Sequence, residues 1–517
     1  MNDGRTAHPT ALLISTTVLY YLLDWIKDVY LYARFGAGAL DPFYGATALF
    51  DAAVTLSMLT AIAAVVLPVL ARARQEGGEP LVERFGSTVL LIAVCALSAV
   101  AVLAVVFAPR ILHIYGFRVD ANGVLVARLI FVILPFVGID RLTRVLFEDR
   151  RRFGPPVAAS LIQRVVFLGV VVALASRRGV VGAGGGALSA AVISAAFLAV
   201  AFFTVGGRLR RPLGLGHPLV RGALAPLALL WIAGLLAQAP FVDLIFASYF
   251  EKGSLSLLRL AARIYDVPLA LFCVSVGTAI LPRLCEAGAA GDRRALQLHL
   301  ATALRRSLYF VLPSMFGLMV LAVPLVRVVY RYGRFGAHDA RLVGYCLIAY
   351  SLALPAMGIR ALFARGLYAV NKHKWFIPVE LLTLVLNVAL NYLLAIRLGW
   401  GILGLALSTS VASFGTLALL WWLVRRFIGS EEMRGLGRAL ARMAGAAAFM
   451  AAICQALWLL SAPEQEPGQW VTAVRLVVTV VFGAALYFAA TCVLRLEEYD
   501  DCKALFDKFI RRHSRAQ

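Results

Sequence analysis

At 517 residues, with 61% hydrophobic and only 15% charged side chains and a mean hydropathy of +0.84, the chain is too apolar for a water-soluble protein. Soluble domains run near 45–50% apolar and about 25% charged. Lys and Arg number 50 against 28 acidic residues, a net charge of +22. In a soluble protein that balance would suggest nucleic acid. Here the basic residues crowd the loops between apolar runs, as the positive-inside rule requires, so no nucleic-acid partner is expected. The seven cysteines show no Cys-x-x-Cys or Cys/His ligand spacing, so neither disulfides nor metal–thiolate chemistry is predicted.

Apolar runs fall near 11–32, 45–70, 86–108, 125–147, 155–175, 181–205, 223–249, 256–281, 307–330, 339–367, 375–397, 401–424, 436–460 and 471–494. At ~20 residues per crossing this predicts an all-α integral membrane protein of about fourteen transmembrane helices. The first run holds Asp24, Lys27 and Asp28, which no cleavable signal peptide would carry. Loops on one side hold Arg72, Arg74 and Arg84, then Arg150, Arg151 and Arg152, then Arg208, Arg210 and Arg211, and later Lys372, Lys374, Arg425 and Arg426. An even span count puts both termini on that side, the cytoplasm. The tail 498–517, with Lys503, Lys508, Arg511 and Arg512, reads either as solvated or as a short helix on an anionic leaflet.

The chain repeats itself. Leu67-Pro68 ending the second run matches Leu281-Pro282 ending the eighth. Tyr115-Gly after the third matches Tyr332-Gly after the ninth. Leu134-Pro-Phe-Val-Gly-Ile in the fourth matches Leu354-Pro-Ala-Met-Gly-Ile in the tenth. An even offset of six spans keeps the same orientation, so the halves form a parallel repeat with a transport path between them. This predicts a six-helix bundle over 1–215, a second over 216–430, two appended helices over 431–497 and the basic tail 498–517.

Ionisable residues at membrane depth cost at least ~2.5–3.5 kcal/mol on insertion scales and need partners or a wet cavity. Asp24, Lys27 and Asp28 share one helix face, and Asp51, Asp140, Arg141, Arg144, Arg164, Arg259, Arg263, Asp266, Arg360 and Arg365 also fall within runs. Arg144 and Arg365 lie near run ends, where they could snorkel. Lys27 and Arg263 occupy comparable early places in the two halves, each near a carboxylate, and are expected to line a central cavity suited to an anionic amphiphile. Asp243, Asn387, Asn391 and Thr409 offer hard oxygens that could hold Na+. The alternative is that the amides and hydroxyl are interhelical hydrogen-bond glue.

Lys27-Asp28, Ala33-Arg-Phe-Gly-Ala-Gly38, Asp41-Pro-Phe, Ala262-Arg-Ile-Tyr-Asp-Val-Pro268, Gly277-Thr-Ala-Ile-Leu-Pro282, Tyr332-Gly-Arg-Phe and Gly404-Leu-Ala-Leu-Ser-Thr-Ser410 resemble, in order over roughly 15–425, the MurJ/MviN lipid II flippases. That superfamily also holds multidrug MATE antiporters and polysaccharide flippases. The resemblance implies a flippase of the bacterial inner membrane, working as a monomer among membrane lipids on a polyprenyl-diphosphate-linked sugar, with Na+ or H+ as the coupling ion and no other cofactor. It places the family's cavity cations on Lys27 and Arg263, its aspartate opening the second span on Asp41 and the Na+ pattern on Asp243, Asn387, Asn391 and Thr409. From their place within the runs, Arg144 and Arg360 are expected as further cavity cations and Asp24, Asp28 and Asp51, with Asp41, as cavity or gate acids. Two family arginines are missing, since Tyr21 and Val54 stand in their places. The competing expectations are a flippase for another lipid-linked oligosaccharide and a cation-coupled antiporter, the latter disfavoured by a basic cavity. A membrane enzyme is not expected, because the loops near 282–306 and 425–436 are short and basic.

Overall fold

Among the described residues the backbone is helical, with no strand. The computed structural model describes residues 7–56, 62–114, 120–150, 152, 154–222, 239–370, 372–433, 435–461 and 468–499. Most of the expected span 223–249, the repeat residues 115–119 and nearly all of the basic tail therefore lie outside the described residues. Nine described helices are long and apolar enough to cross a membrane, or ten if the bent pair Ala337–Ser351 and Leu354–Ala369 is one span. The helices Ala7–Phe35 and Ser254–Leu269, the second only 16 residues long, are not among them, and both carry buried or half-buried charges. The segment Val69–His113, two helices meeting at a kink at Gly77–Gly78, shows what solvent the fold requires. Its most apolar stretch has a mean hydropathy of 3.1 with only 11% buried inside the protein, and Val102 and Val106 stand open. Apolar surface of that extent is stable only against hydrocarbon.

The repeated Leu-Pro pairs make the same local structure twice. Helix Ala121–Phe131 stops just before Leu134–Asp149, and Ala337–Ser351 stops just before Leu354–Ala369. In each second helix the proline lies in the first turn, where its missing N–H would have no partner anyway. The second break bends the span by 45°.

The chain divides into two compact units, residues 1–256 with 332–335, and 257–331 with 336–517. In the first, Leu70, Phe85, Leu97, Leu134 and Leu142 form a core that also takes Leu213, Leu219 and Val220 from the loop after Val181–Thr204. That loop is fastened by its backbone: Arg210 N–H donates to Ser87 Oγ and Leu213 N–H to Thr88 Oγ1. The segment Tyr332–Phe335 is built into this unit as well. Arg334 N–H donates to the Ala33 carbonyl at 2.9 Å, and Phe335 meets the Tyr32 ring edge-on. Gly333 has φ +57°, and a Cβ there would lie 2.2 Å from Ala33 O, so only glycine fits.

In the second unit the long helix Arg293–Tyr330 contacts the helices Ala337–Ser351, Leu354–Ala369, Leu436–Leu460 and Gln469–Val493. Asp292 caps its start by accepting from Ala295 N–H. The last helix is pinned to it by buried hydroxyls: Tyr309 and Thr491 share a 2.9 Å hydrogen bond, and Tyr487 donates to the Tyr309 carbonyl.

Candidate substrate site

In the first unit four intramembrane charges form one cluster. Lys27 Nζ lies 3.0 Å from Asp28 Oδ1 and 3.4 Å from Asp24 Oδ1, while Arg164 Nη1 lies 3.2 Å from the same Asp24 oxygen. Tyr44 donates to Asp28 at 3.1 Å, and the Lys27 ammonium stands 5.8 Å above the Phe167 ring. Both carboxylates are buried, whereas 15% of the Lys27 side chain and 23% of Arg164 remain open. Two cations and two carboxylates leave the cluster neutral, which is how a membrane interior tolerates it. The i, i+3, i+4 spacing of Asp24, Lys27 and Asp28 was legible in the sequence; the Arg164, Tyr44 and Phe167 contributions were not.

Arg144 is also compensated, by Asp140 at 2.7 Å, by the Pro156 carbonyl and by Ser160, with Ser194 donating to Asp140. Asp51 is exposed on its helix. Asp41 caps the helix Ser254–Leu269 from a distance, accepting from Gly253 N–H, Ser256 N–H and Ser256 Oγ. Gly253 has φ +99° and sits where a Cβ would come 3.2 Å from Gly38 N, so this approach needs glycine. Loss of a cap costs about 1–2 kcal/mol. Asp41→Ala should therefore lower stability by that amount in a detergent melt and Asp41→Asn by less; unchanged melting of the alanine variant would show that the cap carries no weight.

In the second unit Arg360 pairs with Glu380, a residue that sequence analysis did not single out. It also takes Thr383 Oγ1 at 3.0 Å and the Phe376 ring at 5.6 Å. Arg263 is half-buried on the helix Ser254–Leu269, and both it and Arg259 act electrostatically on Asp266. The expected oxygen donors are divided between the units. Asn391 donates to Asn387 at 3.2 Å, Asn387 to Thr409 at 3.4 Å, and Ser408 to Asn391. Asn391 opens the π-helix Asn391–Arg397. Asp243 is buried in the first unit.

The second unit also holds an apolar groove of about 400 Å³. Its walls are Pro268, Phe272, Phe310, Leu318, Leu476 and Tyr487, from the helix Ser254–Leu269 and its π-helical continuation, the long helix Arg293–Tyr330 and the last helix. Gly317 also lines it, with nothing within 4 Å of where a Cβ would stand.

A family model described as lipid II flippase MurJ matches residues 33–480. A Burkholderia cenocepacia protein named lipid II flippase MurJ is 24% identical over 84% of this chain and 87% of its own length. A probable lipid II flippase MurJ of Bdellovibrio bacteriovorus is 29% identical, with the match spanning about half of each protein, 51% of this chain and 50% of that one. Among solved structures, a lipid II flippase MurJ in an inward closed conformation matches with a TM-score of 0.77 at 20% identity, covering 94% of this chain and 98% of that one. An inward-facing multidrug MATE transporter matches with a TM-score of 0.69 at 12% identity, over 80% of this chain and 94% of its own. At these identities the two structures establish a shared fold.

Proposed function

Because this chain belongs to the lipid II flippase MurJ family, we propose that it carries lipid II, a polyprenyl-diphosphate-linked peptidoglycan precursor, across the bacterial cytoplasmic membrane by alternating access. The observation that carries this reading is the apolar groove. An apolar groove walled by the last helix gives a polyprenyl tail a place to lie while its head is moved. Lys27 and Arg263 are the residues proposed to take the diphosphate, each keeping open surface for phosphate oxygens. Arg144 and Arg360, already compensated by Asp140 and Glu380, would shape the path more than bind the head. Na+ or H+ coupling through Asp243, Asn387, Asn391 and Thr409 belongs to the same proposal, as do monomeric action and cytoplasmic termini. A different lipid-linked oligosaccharide is the second reading, favoured by Tyr21 and Val54 at the two arginine places.

Gly317→Phe tests the groove's role. The new ring enters open space, and loss of a mid-helix glycine gains up to ~1 kcal/mol of helix propensity, so the fold should be kept. Transport of a full-length polyprenyl substrate in proteoliposomes should fall about tenfold (~1.4 kcal/mol), while an analogue with a short tail should move unchanged. Equal transport of the long-tailed substrate by wild type and variant would remove the groove from the mechanism.

A further inference from the structure

Two short segments of the second unit carry four exposed cations without an ion pair to any carboxylate among the described residues: Lys372, Lys374, Arg425 and Arg426. Some basic residues at helix ends are compensated by acids: Arg74 pairs with Asp149, Arg210 with Glu83, Arg294 with Glu432 and Arg305 with Glu497. Here two of the four, Lys372 and Arg426, stand against aromatic rings instead. Lys372 Nζ stands 5.7 Å from the Phe427 ring, and the Arg426 guanidinium lies 5.3 Å from Trp422 and 5.9 Å from Phe427. Trp375 packs on Phe427 at 5.5 Å, joining the 3-10 turn His373–Phe376 to the end of helix Gly401–Phe427.

We propose that this platform binds the phosphate headgroup of an anionic glycerophospholipid. The rings hold Lys372 and Arg426 in place without neutralising them, since a cation–π contact leaves the N–H donors free for phosphate oxygens. The occupant is a lipid because of where the platform lies. The membrane-crossing helix Lys374–Arg397 begins here and Gly401–Phe427 ends here, so the site lies at the level of the headgroups. Trp375 and Trp422 are 36% and 48% exposed, the amphipathic placing that tryptophan takes at a bilayer surface. A neutral zwitterionic lipid would gain little from four uncompensated positive charges, whereas each basic residue near an anionic surface adds attraction that salt screens. The platform uses none of the residues assigned to the transport path, and its standing does not depend on which lipid the protein carries.

The test uses the full chain in detergent micelles, titrated with phosphatidylglycerol or phosphatidylcholine of identical acyl chains, with bound lipids counted by native mass spectrometry. The wild type should retain phosphatidylglycerol about tenfold more tightly than phosphatidylcholine. The combined variant Lys372→Gln, Lys374→Gln, Arg425→Gln, Arg426→Gln should lose that preference. A control with the same charge change at exposed sites elsewhere (Arg72→Gln, Arg152→Gln, Arg283→Gln, Arg293→Gln) should keep it. Equal loss in both variants would reduce the effect to net charge, and retention in the patch variant would remove the site. Displacement of the lipid by millimolar inorganic phosphate would make it a free-anion site; each of these outcomes overturns the proposal. Should the combined variant melt lower than wild type, Lys374→Gln alone, at an exposed side chain, should still weaken phosphatidylglycerol retention about twofold, and no change would again overturn it.

Discussion

Arg360→Met lowers the stability of the protein by about 3–5 kcal/mol, the cost of leaving a buried charge without its partner. The guanidinium and the Glu380 carboxylate bury each other, with side-chain exposures of 13% and 9%, and Thr383 and Phe376 complete the shell. Removing the cation strands Glu380 among apolar helices. Adding Glu380→Gln to Arg360→Met should recover most of the loss, because a neutral amide needs far less compensation than a carboxylate. Thermal or denaturant unfolding in detergent of the two single variants and the double gives the coupling directly. Additive losses in the double variant would mean that the pair is not a unit, and that these two helices are held by packing alone.

Lys27→Met stops transport, and the companion change tells why. The substitution takes the ammonium away from both Asp24 and Asp28 while Arg164 stays beside Asp24, so some loss of stability is expected on the same grounds. Lys27→Met with Asp28→Asn restores the balance of charge in the cluster. If Lys27 serves only to neutralise its neighbours, that double variant melts and transports like wild type. If Lys27 meets the diphosphate, melting recovers while transport stays at least about tenfold down, since one charge-assisted contact of ~1.5–3 kcal/mol is missing from the bound state. The second outcome is the one expected. Lys27→Arg, which keeps the charge and adds a fork, should retain part of the activity.

What the sequence made legible was whatever depends on chain-local chemistry. Apolar runs of bilayer length marked the spans. The duplicated Leu-Pro pair marked the repeat, while the helix break it makes in each unit, with proline in the first turn of the second helix, lies hidden within a continuous apolar run. The three charges at 24, 27 and 28 declared a common face through helical spacing alone. Partners chosen by tertiary packing were illegible. Nothing near Asp41 in the chain says that it caps a helix start by accepting from Gly253, 212 residues later. Glu380 looks like an ordinary acid near the start of a span until Arg360 is seen beside it. The hydrogen bonds from Asn391 to Asn387 and from Asn387 to Thr409 were likewise not to be read from spacing alone. Three of the four expected cavity cations, Lys27, Arg144 and Arg360, come with carboxylates in contact. Counting arginines and lysines along the chain therefore overstates how much free positive charge is offered to a substrate.

The central claim is that this chain moves lipid II outward, and depletion of a bacterium's own lipid II flippase tests it most directly. Expression of the chain in depleted cells should restore growth, and lipid II in those cells should again become accessible to a cleaving enzyme confined to the periplasm. If instead the protein reaches the membrane in normal amount while cells lyse and lipid II stays sheltered on the cytoplasmic side, the cargo is not lipid II.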